Sequence, residues 1–127
     1  MKELDKATND LSYKIIGAAI EVHRVLGPGL LEQIYEDALC IELGDRNIPF
    51  ERQKPIDATY KARPIGNLRL DILVDNRVIL ELKSIERLMG IHKAQVITYL
   101  RMTNLRLGLL INFNHLVLKD GIQRIIL

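Results

Sequence analysis

The chain has 127 residues, of which 48% are apolar, 18 are basic and 16 are acidic. This length and apolar content predict one compact domain over residues 1–127, with a core that needs neither disulfides nor structural metal, and they exclude collagen-like, disordered and disulfide-scaffold classes. A net charge of +2 permits nucleic-acid binding without indicating it.

Two helices are predicted in the first third of the chain. Apolar residues recur every three or four positions from Leu11 to Val25, as on one side of an amphipathic helix, and Gly27-Pro28-Gly29 ends that helix. A second helix is predicted over 30–43, ending at Gly44. Its predicted buried face consists of Leu31, Ile34, Ala38 and Ile41.

The middle of the chain is typical of β-structure. Residues 50–60 are predicted to be extended and 61–66 to form a turn, while segments 67–74 and 77–84 alternate like the strands of an antiparallel hairpin. Because the even positions of both strands are aliphatic, they must share one core face, which requires a three-residue loop pairing Val74 with Val78. These even positions are Leu68, Leu70, Ile72, Val74, Val78, Leu80 and Leu82.

The last third of the chain is predicted to complete a layered fold. A third helix is expected over 88–103, and the apolar run 105–113 predicts a central strand buried on both faces. Two short strands, around 116–118 and 122–127, are expected to form a terminal hairpin. Together the elements predict an α/β sandwich built around a mixed sheet.

Two observations bear on the compartment. The single cysteine, Cys40, lies in an apolar helical pattern, which indicates a small core residue and a reducing environment. The N-terminal segment lacks the continuous apolar core of a signal peptide, and no stretch approaches the roughly 18 apolar residues that cross a bilayer. The sequence therefore predicts a soluble cytoplasmic protein without a membrane partner.

The second face of the predicted 67–84 hairpin is charged at the end away from its loop. In the three-residue-loop register, Asp71 lies opposite Glu81, and Arg69 lies opposite Lys83. On an exposed sheet this cluster would be a solvated salt-bridge patch. Enclosed in a cleft, the two carboxylates would suit a hard cation such as Mg²⁺, with the lysine beside them. The apolar strands, and enough amphipathic helix to cover both faces, weaken the first interpretation, and both interpretations stay open on these residues alone.

The spacing of Asp71 and Glu81-Leu82-Lys83 resembles the signature of the PD-(D/E)XK nuclease superfamily. Gln95 and Tyr99, on the following helix, resemble the Q-x-x-x-Y element of its RecB-like branches. In place of the proline of the signature, the residue before Asp71 is Leu70.

An N-terminal motif adds to this resemblance. Gly29-x-x-Glu32-x-x-Tyr35 is similar to the hallmark of the GxxExxY protein family, which is assigned to the same superfamily. The likeness continues through Arg52-Gln53 and 107–114, so that it covers nearly the whole chain.

The resemblance implies a restriction-endonuclease-like three-layer sandwich, with a central mixed sheet flanked by helices. It also implies a nuclease that uses Mg²⁺ or Mn²⁺. Asp71 and Glu81 are then metal ligands, with the Leu82 carbonyl and Glu32 as further candidates, and Lys83 positions or activates the attacking water. Gln95 and Tyr99 are expected to position the substrate backbone or the lysine. Candidate phosphate contacts are Arg63, Arg69, Arg87, Lys93 and Arg101.

Several hypotheses stay open at this stage. The complete motif set favours a Mg²⁺-dependent nuclease acting on nucleic acid, with DNA as the favoured substrate and a homodimer as a plausible assembly. The modest net charge favours a non-catalytic nucleic-acid-binding or regulatory module, and a protein-interaction domain is a third hypothesis. Single residues also have alternative interpretations. Glu32 is alternatively a partner of the helix dipole, and Gln95 and Tyr99 are alternatively an ordinary surface pair. His23 is expected to be a cap or packing residue.

Overall fold

The structure is a computed structural model that describes residues 3–127. In chain order, its helices and strands are α1 (Lys6–Leu26), α2 (Glu32–Asp45), β1 (Phe50–Tyr60), β2 (Arg63–Val74), β3 (Val78–Lys83), α3 (Gly90–Thr103), β4 (Leu107–Asn112) and β5 (Ile122–Ile126), with a 3₁₀ helix over Leu118–Gly121. The sheet has the order β1-β2-β3-β4-β5. Only β3 and β4 are parallel, so the sheet is mixed.

Helices cover both faces of the sheet. On one face, α1 and α2 pack through Ile15 and Leu39 into a core shared with Leu80 and Ile111. On the other face, Val96 and Leu100 of α3 pack against residues such as Ile79 and Leu110. All six residues of β4 are buried, as expected for a strand covered on both sides. The predicted α/β sandwich of three layers is therefore confirmed. Within residues 3–127, no helix combines the length and apolar character needed to span a bilayer.

The first helix extends beyond the segment, Leu11 to Val25, in which apolar residues recur. It begins after Asp5, whose side chain accepts a hydrogen bond from the Thr8 N–H, and it ends at Gly27, which has a φ of 73°. Gly27 and Gly29 both adopt positive φ, so both act in the chain reversal between the helices. The predicted buried position of Val25 is wrong, since this side chain is 64% exposed in the last turn.

The predicted buried face of the second helix is wrong. Leu31, Ile34 and Ile41 are exposed, and Ala38 is only partly buried. The buried face instead contains Tyr35, Leu39 and Leu43, with Cys40 beside them, as predicted for the cysteine. Apolar residues occur on two sides of this helix. The side that carries Tyr35 is the buried one, because the Tyr35 ring stacks on the Phe113 ring with centroids 4.5 Å apart.

The two hairpins differ in how well their turns were predicted. Val74 pairs with Val78, which confirms the three-residue loop of the second hairpin. In the first hairpin the strand begins at Arg63 rather than at 67, and Tyr60 pairs with Arg63 across a two-residue turn. The predicted turn over 61–66 is therefore reduced to Lys61 and Ala62.

The prediction of one aliphatic face along β2 is wrong. Ile72 and Val74 pack toward α1 and α2, whereas Leu68 and Leu70 pack toward α3. The change occurs where Gln53 of β1 adopts a left-handed φ of 47°. The β1–β2 register passes from Arg52↔Ile72 to Lys54↔Leu70 without a Gln53↔Asp71 pair. The hairpin thus turns over about its own axis at Asp71.

The predicted terminal hairpin is also wrong. Residues 118–121 form a 3₁₀ helix, and β5 pairs antiparallel with β4. Leu118 is buried in the core beneath α1 and α2. Gly121 allows this close passage, because a Cβ at that position would lie 2.2 Å from the Asn112 carbonyl oxygen.

Gly108→Ala tests how closely α3 packs on the sheet. A Cβ at Gly108 would lie 2.5 Å from Val96 Cγ1. We expect the substitution to lower the free energy of unfolding by about 1–2 kcal/mol, measured by urea denaturation. In a Val96→Ala background the same substitution should cost less, because the obstructing methyl is gone. Equal losses in both backgrounds would contradict the contact.

Candidate functional site

The centre of the candidate site is a pair of carboxylates on adjacent strands. The β2–β3 ladder ends at Ile72↔Leu80, one residue before Asp71 and Glu81. Beyond it, Asp71 Oδ2 accepts a hydrogen bond from the Leu82 N–H at 2.8 Å. Glu81 Oε1 accepts one from the Asp71 N–H at 3.2 Å. Side-chain oxygens thus replace backbone acceptors, and both carboxylates are held where the two strands separate.

The separation of the strands corrects one predicted pairing. The register that would place Arg69 opposite Lys83 is not continued past Ile72 in the described ladder. Arg69 is exposed on β2, whereas Lys83 is partly buried at the end of β3. The four charged groups therefore do not form the alternating salt-bridge patch that an exposed sheet would carry.

Burial dominates the electrostatics of the carboxylate pair. Glu81 is 3% exposed. Burial and, after it, the neighbouring charge of Asp71 raise the pKa of Glu81 to about 9. Burial also raises the pKa of Asp71, against the opposing hydrogen bond from the Leu82 N–H. Within residues 3–127, neither carboxylate forms an ion pair. The fold therefore disfavours the charged forms of both carboxyl groups, which a bound cation would stabilise.

Two further charged residues lie near the pair, Glu32 on a helix and Lys83 on the same strand as Glu81. Glu32 is the first residue of α2 and Lys83 the last residue of β3. Partial burial raises the pKa of Glu32, the charge of Asp71 raises it further, and Lys83 opposes both effects. Glu32 is thus close enough to Asp71 to interact with it, although its side chain remains open to solvent.

The oxygen donors fit a hard divalent cation that keeps water among its ligands. Carboxylates and carbonyls are the ligands that Mg²⁺ prefers. The N–H and C=O of a strand residue project to the same side, so the Leu82 carbonyl lies, like its N–H, on the side of Asp71. No group of three or more His, Cys, Asp or Glu side chains within residues 3–127 is arranged to hold a metal. The protein therefore provides a partial coordination set centred on Asp71 and Glu81.

The loop before α2 determines where Glu32 lies. The Tyr35 hydroxyl donates to the Gly27 carbonyl at 2.5 Å and accepts from the Leu30 N–H at 3.1 Å. The Leu30 carbonyl accepts from Ser84 Oγ at 2.5 Å, which ties the loop to the residue after Lys83. The Tyr35 side chain is fully buried. The two hydrogen bonds of its hydroxyl to the loop explain why a tyrosine occupies this position of the Gly29-x-x-Glu32-x-x-Tyr35 motif.

A buried network behind the pair was missed by the sequence reasoning. Glu36 is 4% exposed and accepts hydrogen bonds from Arg52 Nη2 at 2.8 Å and from Gln53 Nε2 at 2.7 Å. Its charge contributes to the raised pKa of Asp71. The signal available in the sequence was the spacing of Glu32 and Glu36, four residues apart on one helix face.

Arg52→Met tests the importance of this network. The substitution keeps the aliphatic stem but leaves the buried Glu36 carboxylate without its cationic partner. We expect a loss of about 2 kcal/mol in the free energy of unfolding, below the range for fully buried pairs because Arg52 is partly exposed. Adding Glu36→Gln to Arg52→Met should recover part of the loss in urea denaturation. A double variant less stable than Arg52→Met alone would contradict this interpretation.

Tyr99 and Gln95 of α3 lie on the other side of the pair. Tyr99 is buried, so the two residues are not an ordinary surface pair. Burial raises the pKa of the Tyr99 hydroxyl, the charges of Glu81 and Asp71 raise it further, and a hydrogen bond with Gln95 opposes them. Gln95 and Lys83 line one cavity of about 440 Å³ with Ile91, His92, Ala94 and Thr98. This cavity borders the site at Lys83 and Gln95.

The segment after Lys83 is held by another residue missed from sequence. Asn112 is fully buried, and its Oδ1 accepts from the Ile85 N–H at 3.1 Å while its Nδ2 donates to the Ile85 carbonyl at 2.9 Å. The signal was an asparagine inside an apolar run. His23 contacts the His115 carbonyl through Nε2 at 2.7 Å, as expected for a packing residue.

The predicted phosphate contacts are all exposed but do not lie on one element. Arg63 and Arg69 lie on β2, and Arg87 lies in the β3–α3 loop, where it lines a cavity of about 620 Å³. Lys93 and Arg101 lie near opposite ends of α3.

Most of the sequence matches a model of a known protein family. A family model described as the PD-(D/E)XK nuclease superfamily matches residues 9–125. Neither curated proteins nor solved structures yield a significant match. The matched segment includes both carboxylates of the pair, the lysine beside them, and the two helices that flank the site.

Proposed function

Because the chain belongs to the PD-(D/E)XK nuclease superfamily, we propose that it is a divalent-cation-dependent nuclease that hydrolyses phosphodiester bonds of nucleic acid. The observation that carries the proposal is the buried Asp71 and Glu81 pair, which has no ion-pair partner within residues 3–127 and lies close to Lys83. Membership of the GxxExxY family is part of the proposal and is supported by Gly29, Glu32 and Tyr35.

The side chains of the site have distinct proposed roles. Asp71, Glu81 and the Leu82 carbonyl would hold Mg²⁺ or Mn²⁺, with Glu32 as a further candidate ligand. The cation, when bound, supplies Lewis-acid polarisation of the phosphate and acidification of water. Lys83 donates a hydrogen bond that orients the attacking water or a phosphate oxygen.

The residues of α3 complete the proposed site. Tyr99 is held beside the carboxylates and hydrogen-bonded to Gln95, so its hydroxyl can orient Lys83 by accepting from the ammonium, or a phosphate oxygen by donating to it. Gln95 lines the open cavity with Lys83, where an incoming phosphate would lie. Rigid positioning of these donors favours the transition state because little reorganisation is needed during the reaction.

DNA, a cytoplasmic location and a homodimer are finer parts of the proposal. The single buried cysteine suits a reducing compartment. A homodimer would present two sites to the two strands of a duplex.

A non-catalytic nucleic-acid-binding or regulatory module is the second candidate. The absence of a preformed group of three metal-ligating side chains in residues 3–127 favours it. Such a module would bind nucleic acid with strong salt dependence and would not cleave it.

A cleavage assay separates the two candidates. The purified full chain is incubated with labelled single-stranded, duplex and branched DNA and with RNA, each in Mg²⁺, Mn²⁺ or EDTA. Cleavage that requires the metal supports the nuclease. Binding without cleavage in either metal supports the module.

A further inference from the structure

The first hairpin extends well beyond the rest of the sheet. The pairing of β2 with β3 ends at Ile72, whereas the pairing of β2 with β1 continues to Tyr60↔Arg63. The stretch from Arg63 to Asp71 would span at most about 30 Å at roughly 3.3 Å per residue. We call residues 54–69 the hairpin arm. Its inner part packs on α3 through Ile56 and Leu68, and every residue from 59 to 67 is exposed.

The hairpin arm concentrates positive charge. It contains four basic residues and one acidic residue, for a net charge of +3 in a chain whose total is +2. Lys54 is paired with Glu51 at 2.8 Å. Within the described chain, Lys61, Arg63 and Arg69 take part in no ion pair. The arm therefore presents uncompensated cations to the solvent.

The end of the hairpin arm is a strained turn. Lys61 and Ala62 have φ values of 49° and 64°, a conformation that two-residue hairpin turns usually give to asparagine and glycine. Lys61 Nζ lies 5.3 Å from the centroid of the Tyr60 ring, and that ring is itself exposed. A lysine thus occupies a conformationally unfavourable position at the tip of the arm, where its charge is exposed to a ligand.

We propose that the hairpin arm binds duplex DNA, with Lys61, Arg63 and Arg69 contacting its phosphates. This inference rests on the proposed function, from which it takes nucleic acid as the substrate. Asp71 lies at the base of the arm, so a duplex that follows the arm reaches the carboxylate pair. The major groove of B-DNA admits a two-stranded β-ribbon, whereas the major groove of duplex RNA is too narrow. Single strands bind through rows of aromatic residues, and the arm has one, Tyr60.

Fluorescence anisotropy in EDTA tests the hairpin arm without cleavage. The probe is a short labelled DNA duplex, titrated with the full chain over a range of salt concentrations. Lys61→Ala with Arg63→Ala should weaken binding about tenfold and reduce the salt slope by about two, since each lost phosphate contact contributes about 0.9. The matched control is Lys14→Ala with Lys119→Ala, which removes the same charge from exposed positions on α1 and the 3₁₀ helix. This control should bind like the wild type.

A second variant separates loss of charge from loss of the turn. Lys61→Asn with Ala62→Gly places a favourable pair in the left-handed turn and still removes the lysine. It should lower affinity for duplex DNA and reduce the salt slope by about one. Unchanged affinity in both arm variants would overturn the inference, as would equal losses with duplex RNA or single-stranded DNA.

The outcomes for the hairpin arm and for the nuclease are distinguishable. Binding that depends on the arm in EDTA, without cleavage in any metal, supports the arm and contradicts the nuclease. Metal-dependent cleavage with unchanged binding by the arm variants contradicts the arm and supports the nuclease.

Discussion

Asp71→Asn is expected to lower metal-dependent cleavage on the order of 10²–10³-fold, because it removes one negative ligand from the carboxylate pair. Asparagine has nearly the same volume and keeps an oxygen that can accept from the Leu82 N–H, so the strand junction should persist. Initial cleavage rates in Mg²⁺ and circular dichroism provide the two measurements. The variant should retain a wild-type spectrum.

The matched control for this variant is Asp75→Asn. Asp75 lies in the exposed loop between β2 and β3 with a φ of 50°, a conformation that asparagine tolerates well. It undergoes the same chemical change in the same hairpin and should cleave like the wild type. Wild-type rates in Asp71→Asn would refute the assignment of this carboxylate as a ligand.

Glu81→Gln is expected to stabilise the metal-free protein, and more so as the pH rises. The pKa of Glu81 is raised to about 9 in the fold, against roughly 4.3 when unfolded, so the native state retains a proton that the unfolded state loses. Between these values the wild type loses up to about 1.4 kcal/mol of stability per pH unit. Glutamine lacks the charge and keeps an acceptor for the Asp71 N–H.

The measurement is urea denaturation in EDTA at several pH values from 5 to 9. The stability difference between Glu81→Gln and the wild type should widen with pH and reach several kcal/mol at the alkaline end. Mg²⁺ should stabilise the wild type more at high pH and should have little effect on the variant. A stability difference that does not change with pH would show that Glu81 ionises freely in the native state.

Local patterns predicted the β2–β3 hairpin well. The aliphatic residues from Ile72 to Leu82 set the parity of the register, and only an odd loop satisfies it. The same even-numbered pattern predicted the wrong sheet face for Leu68 and Leu70. The left-handed backbone of Gln53, on the neighbouring strand, reverses which face of the sheet these side chains point to. The φ of Gln53 on β1 cannot be read from the alternation of apolar residues along β2.

The residues of the candidate site were grouped from sequence by different signals. Asp71, Glu81 and Lys83 were grouped by their spacing within one hairpin, and Tyr99 by its resemblance to the Q-x-x-x-Y element. Glu36 and Asn112 were missed because their partners, Arg52 and Ile85, lie 16 and 27 residues away along the chain. The buried face of α2 was missed for the same reason, since Phe113 selects Tyr35 over Ile34.

The irregular outer strand has a consequence for self-association. β1 lies at one edge of the sheet, where a long, regular strand would invite another chain to pair and aggregate. Its interior carries Gln53 in a left-handed conformation, Pro55 without an N–H, and a register shift at Ala58 and Thr59. These interruptions leave no continuous row of donors and acceptors. The opposite edge, β5, spans five residues. Both ends of the sheet are therefore poor templates for amyloid-like growth.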